Sequence, residues 1–389
     1  MSDDVVFVAA RRTAIGSFQG QFAPVKSPQL GATAISAVMS DAGVAGEDVS
    51  EVIMGCVLPA GTGQAPARQA ALGAGLPISA GATTINKVCG SGLKAAMLGS
   101  DLIRAGSAEV VVAGGMESMT NAPYLMDRGL RMGHVQALDH MFYDGLQNPY
   151  DGNMMGGFAE NCAAKYSFSR EDQDAFSKAS VERATAAMES GAFGDEITPV
   201  TIKTRKGEVE ITADEEPPRC NIEKMPSLRP AFAKDGTITA ASSSKISDGA
   251  AAFVMMSASE AQKRGLKPLA RVVSHATHSH EPEWFTTAPV GAIAKTLEKA
   301  GWRADQVDLW EINEAFATVT MAAMKDHNLD HAKVNVNGGA CALGHPIGAS
   351  GARILVTLIH ALKHRNLKTG VASLCIGGGE GVAMAVELL

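Results

Sequence analysis

The chain has 389 residues, 46% of them hydrophobic and 19% charged, which is enough apolar material for more than one core and fewer charges than an average globular chain carries. The formal net charge of −7 argues against a nucleic-acid backbone as partner, yet leaves room for an anionic small ligand held by a few local cations. Six cysteines form no CxxC pair and match no zinc spacing, so reduced thiols in a cytoplasmic setting are expected, with no metal site and no disulfide scaffold.

In chain order, the start MSDDVVFVAA is acidic and then strand-like. It has no basic leader, so no signal peptide is expected, and no apolar run in the chain reaches membrane-spanning length. Residues 30–57 (LGATAISAVMSDAGVAGEDVSEVIMGCV) read as a helix with apolar residues at helical spacing, a Gly turn, a short acidic segment and a strand. Residues 83–119 read as a strand (TTINKV), a Gly-rich turn, a helix (LKAAMLGSDLIRA) and a strand (EVVVAGG). Residues 120–245 break the pattern with loop-forming stretches such as DEEPPR and EKMPSLRP, although an amphipathic helix N-capped by serine is predicted from about Ser169 to Ser190. Residues 290–316 (VGAIAKTLEKAGWRADQVDLWEINEAF) then repeat the first pattern. Residues 333–380 repeat the second, as a strand (KVNVN), a Gly-rich turn, a helix (GARILVTLIHALKH), a strand (GVASLCI) and a Gly run.

This repeat predicts an α/β fold of two similar βα halves about a pseudo-twofold axis, with mostly parallel sheets covered on their faces. The expected division is 1–119 with 246–268 for the first half, 120–245 for an inserted loop domain covering a deep site, and 269–389 for the second half. In such sheets ligands gather at the carboxyl ends of strands, so the chemistry is expected where the strand ends of the two halves face each other.

Several candidates sit at those ends. Cys89, in TTINKVCGSGLKAA, falls on a tight strand-to-helix turn near the positive end of a helix, which lowers a thiol pKa and exposes the sulfur; the alternative is a small buried hydrophobe. The GGM run at 114–116 reads as a close backbone passage. Asn313 and Glu314, in EINEAFA, stand where an amide can orient a water or a carbonyl oxygen, or where an ordinary N-cap would stand. His345, in GGACALGHPIGASGA, lies in a Gly-rich turn with little core to fill and can act as base toward Cys89; the alternative is a turn histidine bonded to backbone. Cys341 and His345, four apart in a glycine loop, are not read as metal ligands. Cys375, in GVASLCIGGGEG, precedes three glycines whose free amides suit an oxyanion site, and reads either as an acid/base group or as a strand-end core cysteine.

Together VCGSGLKAA (88–96), AGGMESMT (113–120), NEAFA (313–317), VNVNGGACALGHPIGASGAR (334–353) and CIGGGEG (375–381) resemble the thiolase family, from about residue 5 to the C-terminus. The resemblance implies the thiolase fold, with α-β-α-β-α layers and a loop domain. It implies that Cys89 carries the acyl group, that His345 activates it, and that Cys375 moves the α-proton of a second acyl-CoA. One oxyanion site is implied at His345 with a water held by Asn313, the other at the amides of Cys89 and Gly377. The same resemblance assigns Arg219 to the adenine–phosphate end of coenzyme A, and Leu228, Phe232, Ala240 and Ser244 to the pantetheine arm. Ala315 and Phe316 would line the thioester end, and Leu146 and Met155 would border the acyl group.

Three positions depart from the family pattern: Ser242 where Asn is common, Met154 where acetoacetyl-CoA thiolases have His, and Phe285 where they often have Met. They bear on acyl-chain preference. The loop from Leu130 to Asn161 and the MPSLRPAF stretch point to the acetoacetyl-CoA subgroup, acting on acyl-CoA substrates without a cofactor, as a dimer or tetramer. The competing expectations are a broader 3-ketoacyl-CoA thiolase of fatty-acid β-oxidation, a condensing enzyme of the ketoacyl synthase kind, and a non-catalytic acyl-CoA or lipid carrier.

Overall fold

The computed structural model describes residues 3–129, 131–205 and 207–389. Leu130, where the subgroup-like loop begins, lies outside the described residues. Nine principal strands are β1 (Val5–Thr13), β2 (Glu51–Gly55), β3 (Gly81–Ile85), β4 (Val110–Ser118), β5 (Ser247–Ser257), β6 (Ala270–Ser279), β7 (Leu309–Ile312), β8 (Thr369–Ile376) and β9 (Glu380–Leu388). The helices that matter here are α1 (Ser27–Ala42), α2 (Pro66–Gly73), α3 (Ser91–Arg104), α4 (Met155–Tyr166), α5 (Arg170–Glu189), α6 (Ala288–Ala300), α7 (Ala317–His327) and α8 (Ile347–Arg365).

The strands run β7-β8-β9-β6-β1-β5-β4-β2-β3. The first half, β3 to β1, meets the second, β6 to β7, where β1 pairs with β6 through Val6–Arg271 and Phe7–Ala270. Read outward from that seam, β1 answers β6, β5 answers β9, β4 answers β8 and β2 answers β7, which is the pseudo-twofold relation. Each sheet half has one face against an outer helix layer. Leu30, Ile35 and Val38 of α1 pack on Val52, Val112 and Val254, and Ile293 and Leu297 of α6 pack on Trp310 and Val371. Between the sheet halves, Leu93 and Met97 of α3 and Leu355 and Ile359 of α8 share one cluster with Phe253 and Leu374. The result is five layers, α-β-α-β-α.

The two central helices cross backbone to backbone. A Cβ added at Gly351 would lie 2.4 Å from the Leu93 nitrogen, and one at Gly92 would lie 2.6 Å from the Ala352 nitrogen. This close approach sets the N-terminal ends of α3 and α8, and so the loops bearing Cys89 and His345, on one side of the molecule.

Three expectations change. The sheets are mixed rather than mostly parallel: among the nine principal strands β1–β5, β5–β4, β1–β6, β6–β9 and β9–β8 are antiparallel, and β4–β2, β2–β3 and β7–β8 are parallel. β5 returns antiparallel after the insertion, and the glycine turn at 377–379 folds β9 back on β8. Residues 333–337 are not a strand; a single parallel bridge joins Val334 to Trp310, and Asn335 takes a left-handed backbone with φ 48°. The strand before Cys89 ends at Ile85, three residues earlier than TTINKV predicts. Among the described residues the stretch 120–245, expected as the inserted loop domain, packs its apolar side chains onto the rest of the chain. Its Val181, Phe193 and Met225 pack with Ile15 and Leu343, and its Phe158 packs with Phe285 and Phe316. The serine-capped helix is present, with Ser169 accepting from Asp172 N and donating to the Asp172 carboxylate.

Candidate active site

Cys89 is presented by a strained turn. Val88 has φ 46°, a conformation that a β-branched residue adopts only when its surroundings impose it. Asn86 Oδ1 accepts from Val88 N at 2.8 Å, and Ser91 Oγ accepts from Lys87 N at 2.8 Å while donating to Val88 O at 2.7 Å. Helix α3 starts two residues after the cysteine. Burial nevertheless pushes the Cys89 thiol up to about 11, opposed by the amides of Gly377 and of Cys89 itself. The expected lowering by the helix end is therefore overturned: desolvation outweighs the partial charge of one helix terminus.

His345 lies between the one-turn helix Ala340–Leu343 and α8, and is buried. Ser350 Oγ donates to Pro346 O at 2.9 Å, so it accepts from His345 Nδ1, 2.5 Å away. This assigns the proton to Nδ1 and the lone pair to Nε2. Nε2 is buried and has no hydrogen-bond partner among the described residues. Burial lowers the imidazole to about 3, so the ring is neutral and able to accept a proton.

Cys375 ends β8, fully buried, with its thiol raised by burial and by the neighbouring Cys89. It packs among Met155, Phe158, Phe285, Ala315 and Phe316. Asn313 lies just beyond the end of β7, where its amide N–H bonds Ser373 O at 3.0 Å. Both side-chain polar atoms of Asn313 are buried and unpartnered among the described residues, and Phe316, not Asn313, caps α7. A buried amide left open in this way needs a water or a ligand oxygen.

Two hollows share Met155 as a lining residue. One of about 200 Å³ is lined by His345, Phe316, Ser244, Met155, Leu146 and Phe232, together with Met154. The other, about 300 Å³, is lined by Val88, Gly377, Gly378 and Met155. Cys89 packs in the apolar cluster that also holds Leu146 and Ile347, which line the first. A larger concavity of about 640 Å³ on the outer face of α1, between Pro28 and Ser40, holds none of these groups. Two neighbouring thiols, backbone N–H groups directed at one of them, and a neutral imidazole in the lining of the first hollow are thus in place. That set can pass an acyl group through a cysteine and move a carbon-bound proton.

Two family models match the chain. "Thiolase, N-terminal domain" matches residues 5–259 and "Thiolase, C-terminal domain" matches residues 266–388. The chain belongs to the thiolase family. It is 52% identical over 388 residues to the Pseudomonas aeruginosa protein named acetyl-CoA acetyltransferase, covering 98% of this chain and 99% of that one. It is 50% identical over 392 residues to the protein of that name from Shinella zoogloeoides, covering 100% of both. Among solved structures, the Bacillus anthracis acetyl-CoA acetyltransferase superposes with TM-score 0.97 at 43% identity, covering 100% of this chain and 99% of that one. A thiolase from Ascaris suum, in complex with coenzyme A, superposes with TM-score 0.95 at 43% identity, covering 99% and 100%.

In this thiolase the residues expected around coenzyme A divide into two groups. Phe232, Ser244, Phe316, Leu146 and Met155 line the chamber, and Ala315 accepts from Ser244 N at 3.0 Å just behind it. Arg219 is exposed and paired to Glu215 at 3.3 Å, Ala240 is exposed, and Leu228 packs with Met225 and Val181. None of these three lines the chamber. Among the departures, Met154 faces the chamber, Phe285 packs edge-on to Phe316 beside Cys375, and Ser242 Oγ closes the turn at Thr239 N at 2.9 Å.

Two residues escaped the sequence reading. Ser350 orients His345, but nothing in the local sequence pairs a helix serine with a histidine five places back. Glu117, beside the GGM run, accepts from Val57 N, Leu58 N and Gly348 N at 2.9, 3.2 and 2.9 Å, tying the end of the first-half sheet to the start of α8. Glu314 anchors the Asn313 turn, accepting from Asn335 Nδ2, Ser180 Oγ and Cys341 N at 2.8, 2.7 and 3.0 Å. Cys341, fully buried in that network, lies outside the acyl chambers.

Proposed function

We propose that this chain is an acetyl-CoA C-acetyltransferase, joining two acetyl-CoA to give acetoacetyl-CoA and coenzyme A, and running in reverse as a thiolysis. The observation that carries the reading is the pair of neighbouring thiols, Cys89 and Cys375, together with a buried neutral His345 whose Nε2 has no partner among the described residues. In the first half-reaction Cys89 attacks the thioester carbonyl as its proton passes to His345 Nε2. Cys375 gives its proton to the departing coenzyme A sulfur and becomes a thiolate. In the second, the Cys375 thiolate takes an α-proton from the incoming acetyl-CoA. The resulting carbanion attacks acetyl-Cys89, the departing Cys89 sulfur takes back the proton held on His345 Nε2, and both cysteines and the histidine end as they began.

The enolate oxygen needs donors as its charge develops. Protonated His345 and a water on Asn313 serve one oxyanion, and the amides of Cys89 and Gly377, already directed at the Cys89 sulfur, serve the other. Side chains and amides supply the whole reaction, so no cofactor is required. The apolar lining by Met154, Met155 and Phe316 supports a short acyl group, and the shared family pattern supports a cytoplasmic homotetramer or dimer. The test is thiolysis with 3-ketoacyl-CoAs of rising chain length. Acetoacetyl-CoA is expected to have the highest kcat/KM; a maximum at a longer chain assigns the enzyme to β-oxidation instead, and no turnover with any of them sinks the enzymatic reading.

A further inference from the structure

The C-terminal half of α8 carries His360 and His364, four residues apart and thus on one face of the helix. Their ring centroids are 6.3 Å apart. Asp195, from the turn after α5, reaches the same place, and one ligand atom from each of the three lies within 4.8 Å of the others. His364 Nε2 stands 3.1 Å from Asp195 Oδ2. His360 is only 6% exposed, and its Nε2 donates to the carbonyl of Ala10 at 3.0 Å. That bond puts the lone pair on Nδ1, and Nδ1 is buried with no hydrogen-bond partner among the described residues. A backbone carbonyl holding the far nitrogen of an imidazole is the usual outer support of a metal-bound histidine.

We propose that His360 Nδ1, His364 and Asp195 form a binding site for one zinc-class divalent cation, completed by water. Two imidazoles and one carboxylate favour a first-row transition cation over calcium or magnesium, which prefer all-oxygen sites. Zinc takes such ligands tetrahedrally at about 2.0–2.2 Å, which places the donor atoms roughly 3.4 Å apart. Asp195 and His364 lie at the surface and can rotate that far, while buried His360 stays fixed. Lys363 Nζ, 3.4 Å from Asp195, is the positive charge the cation must displace. None of the three residues lines the acyl chambers, so the role is structural: the cation would clip the segment after α5 to the end of the central helix. The sequence reading expected no metal because the third ligand comes from a distant segment.

The test is titration of the full-length enzyme with Zn2+ by calorimetry, first as purified from chelator and again after iodoacetamide has blocked the reactive cysteine. The wild type is expected to bind one Zn2+ per chain in both states and to gain thermal stability from it. His364→Ala and Asp195→Asn, both at the surface, are expected to keep the metal-free melting temperature and to bind at least about 10-fold more weakly. Co2+ bound to the wild type is expected to show visible ligand-field bands without thiolate charge transfer. Equal affinity in His364→Ala, loss of binding on alkylation, a thiolate band, or no binding by the wild type would each overturn the site.

Discussion

Neutrality of the proposed catalytic pair, Cys89 and His345, governs what single substitutions do. With the Cys89 thiol near 11 and the His345 imidazole near 3, proton transfer accompanies attack instead of preceding it. Iodoacetamide alkylation of Cys89 is therefore expected to keep rising as pH climbs through neutrality toward the thiol's own value. A rate already level at mildly acid pH would reveal a preformed thiolate–imidazolium pair. Ser350→Ala frees Nδ1 from its one acceptor and lets the ring take the wrong tautomer, so kcat is expected to fall with little change in KM. Cys89→Ser is expected to lose the acetyl adduct that mass spectrometry finds on the wild type after acetyl-CoA. Cys375→Ser separates the two half-reactions. It is expected to acetylate Cys89 yet to lose α-proton exchange into deuterated water, and condensation with it, by about 10²–10⁴. Exchange at the wild-type rate would make Cys375 a structural cysteine.

Among the elements, the crossing of α3 and α8 decides whether the two catalytic loops meet. Gly351→Ala inserts a methyl against the backbone of Leu93, and overpacking at such a contact costs about 1–3 kcal/mol. Because the crossing sits under both loops, activity is expected to fall further than stability, and a differential scan beside a thiolysis assay reads both. Ser169→Ala removes the cap of α5, a loss of about 1 kcal/mol far from the reacting groups, and is expected to leave kcat unchanged. Equal losses of activity in the two variants would mean that the crossing has no special bearing on the site.

For the whole molecule, the buried carboxyl of Glu117 couples stability to pH. Burial raises it from 4.5 to about 7 against the pull of three amides. The folded state thus holds this proton more tightly than the unfolded chain does. The resulting stabilisation is fully present below 4.5 and is lost as pH rises through about 7, a term on the order of 3 kcal/mol. His345 works in the opposite sense, since its lowered value costs stability only as pH falls below 6.5. Above that point Glu117 acts without this opposition. Glu117's share of the melting temperature is expected to be lost between about pH 4.5 and 7 and to be level above that, and Glu117→Gln is expected to remove this loss. The same variant puts an amide N–H2 where Leu58 N or Gly348 N donates, so thiolysis is expected to slow as the α8 start shifts. An unchanged pH slope would mean that Glu117 is already ionised in the fold.

The sequence by itself determined which side chains are reactive and roughly where each stands along its element. Cys89 lies just past a strand and Cys375 at the close of one, each beside glycine, and His345 lies in a glycine-rich turn, where few side chains crowd an approaching thioester. The repeat of 30–57 in 290–316 disclosed the two halves, since each had to bury the same kind of apolar face. Tertiary structure alone decided the rest. It set the antiparallel return of β5 across the inserted segment, and it turned KVNVN into a bridge because Asn335 spends its amide on Ile312. It also set the protonation of the pair. A helix terminus is a local feature that residue types reveal, whereas desolvation depends on everything packed around the sulfur, and no stretch of sequence near Cys89 contains that.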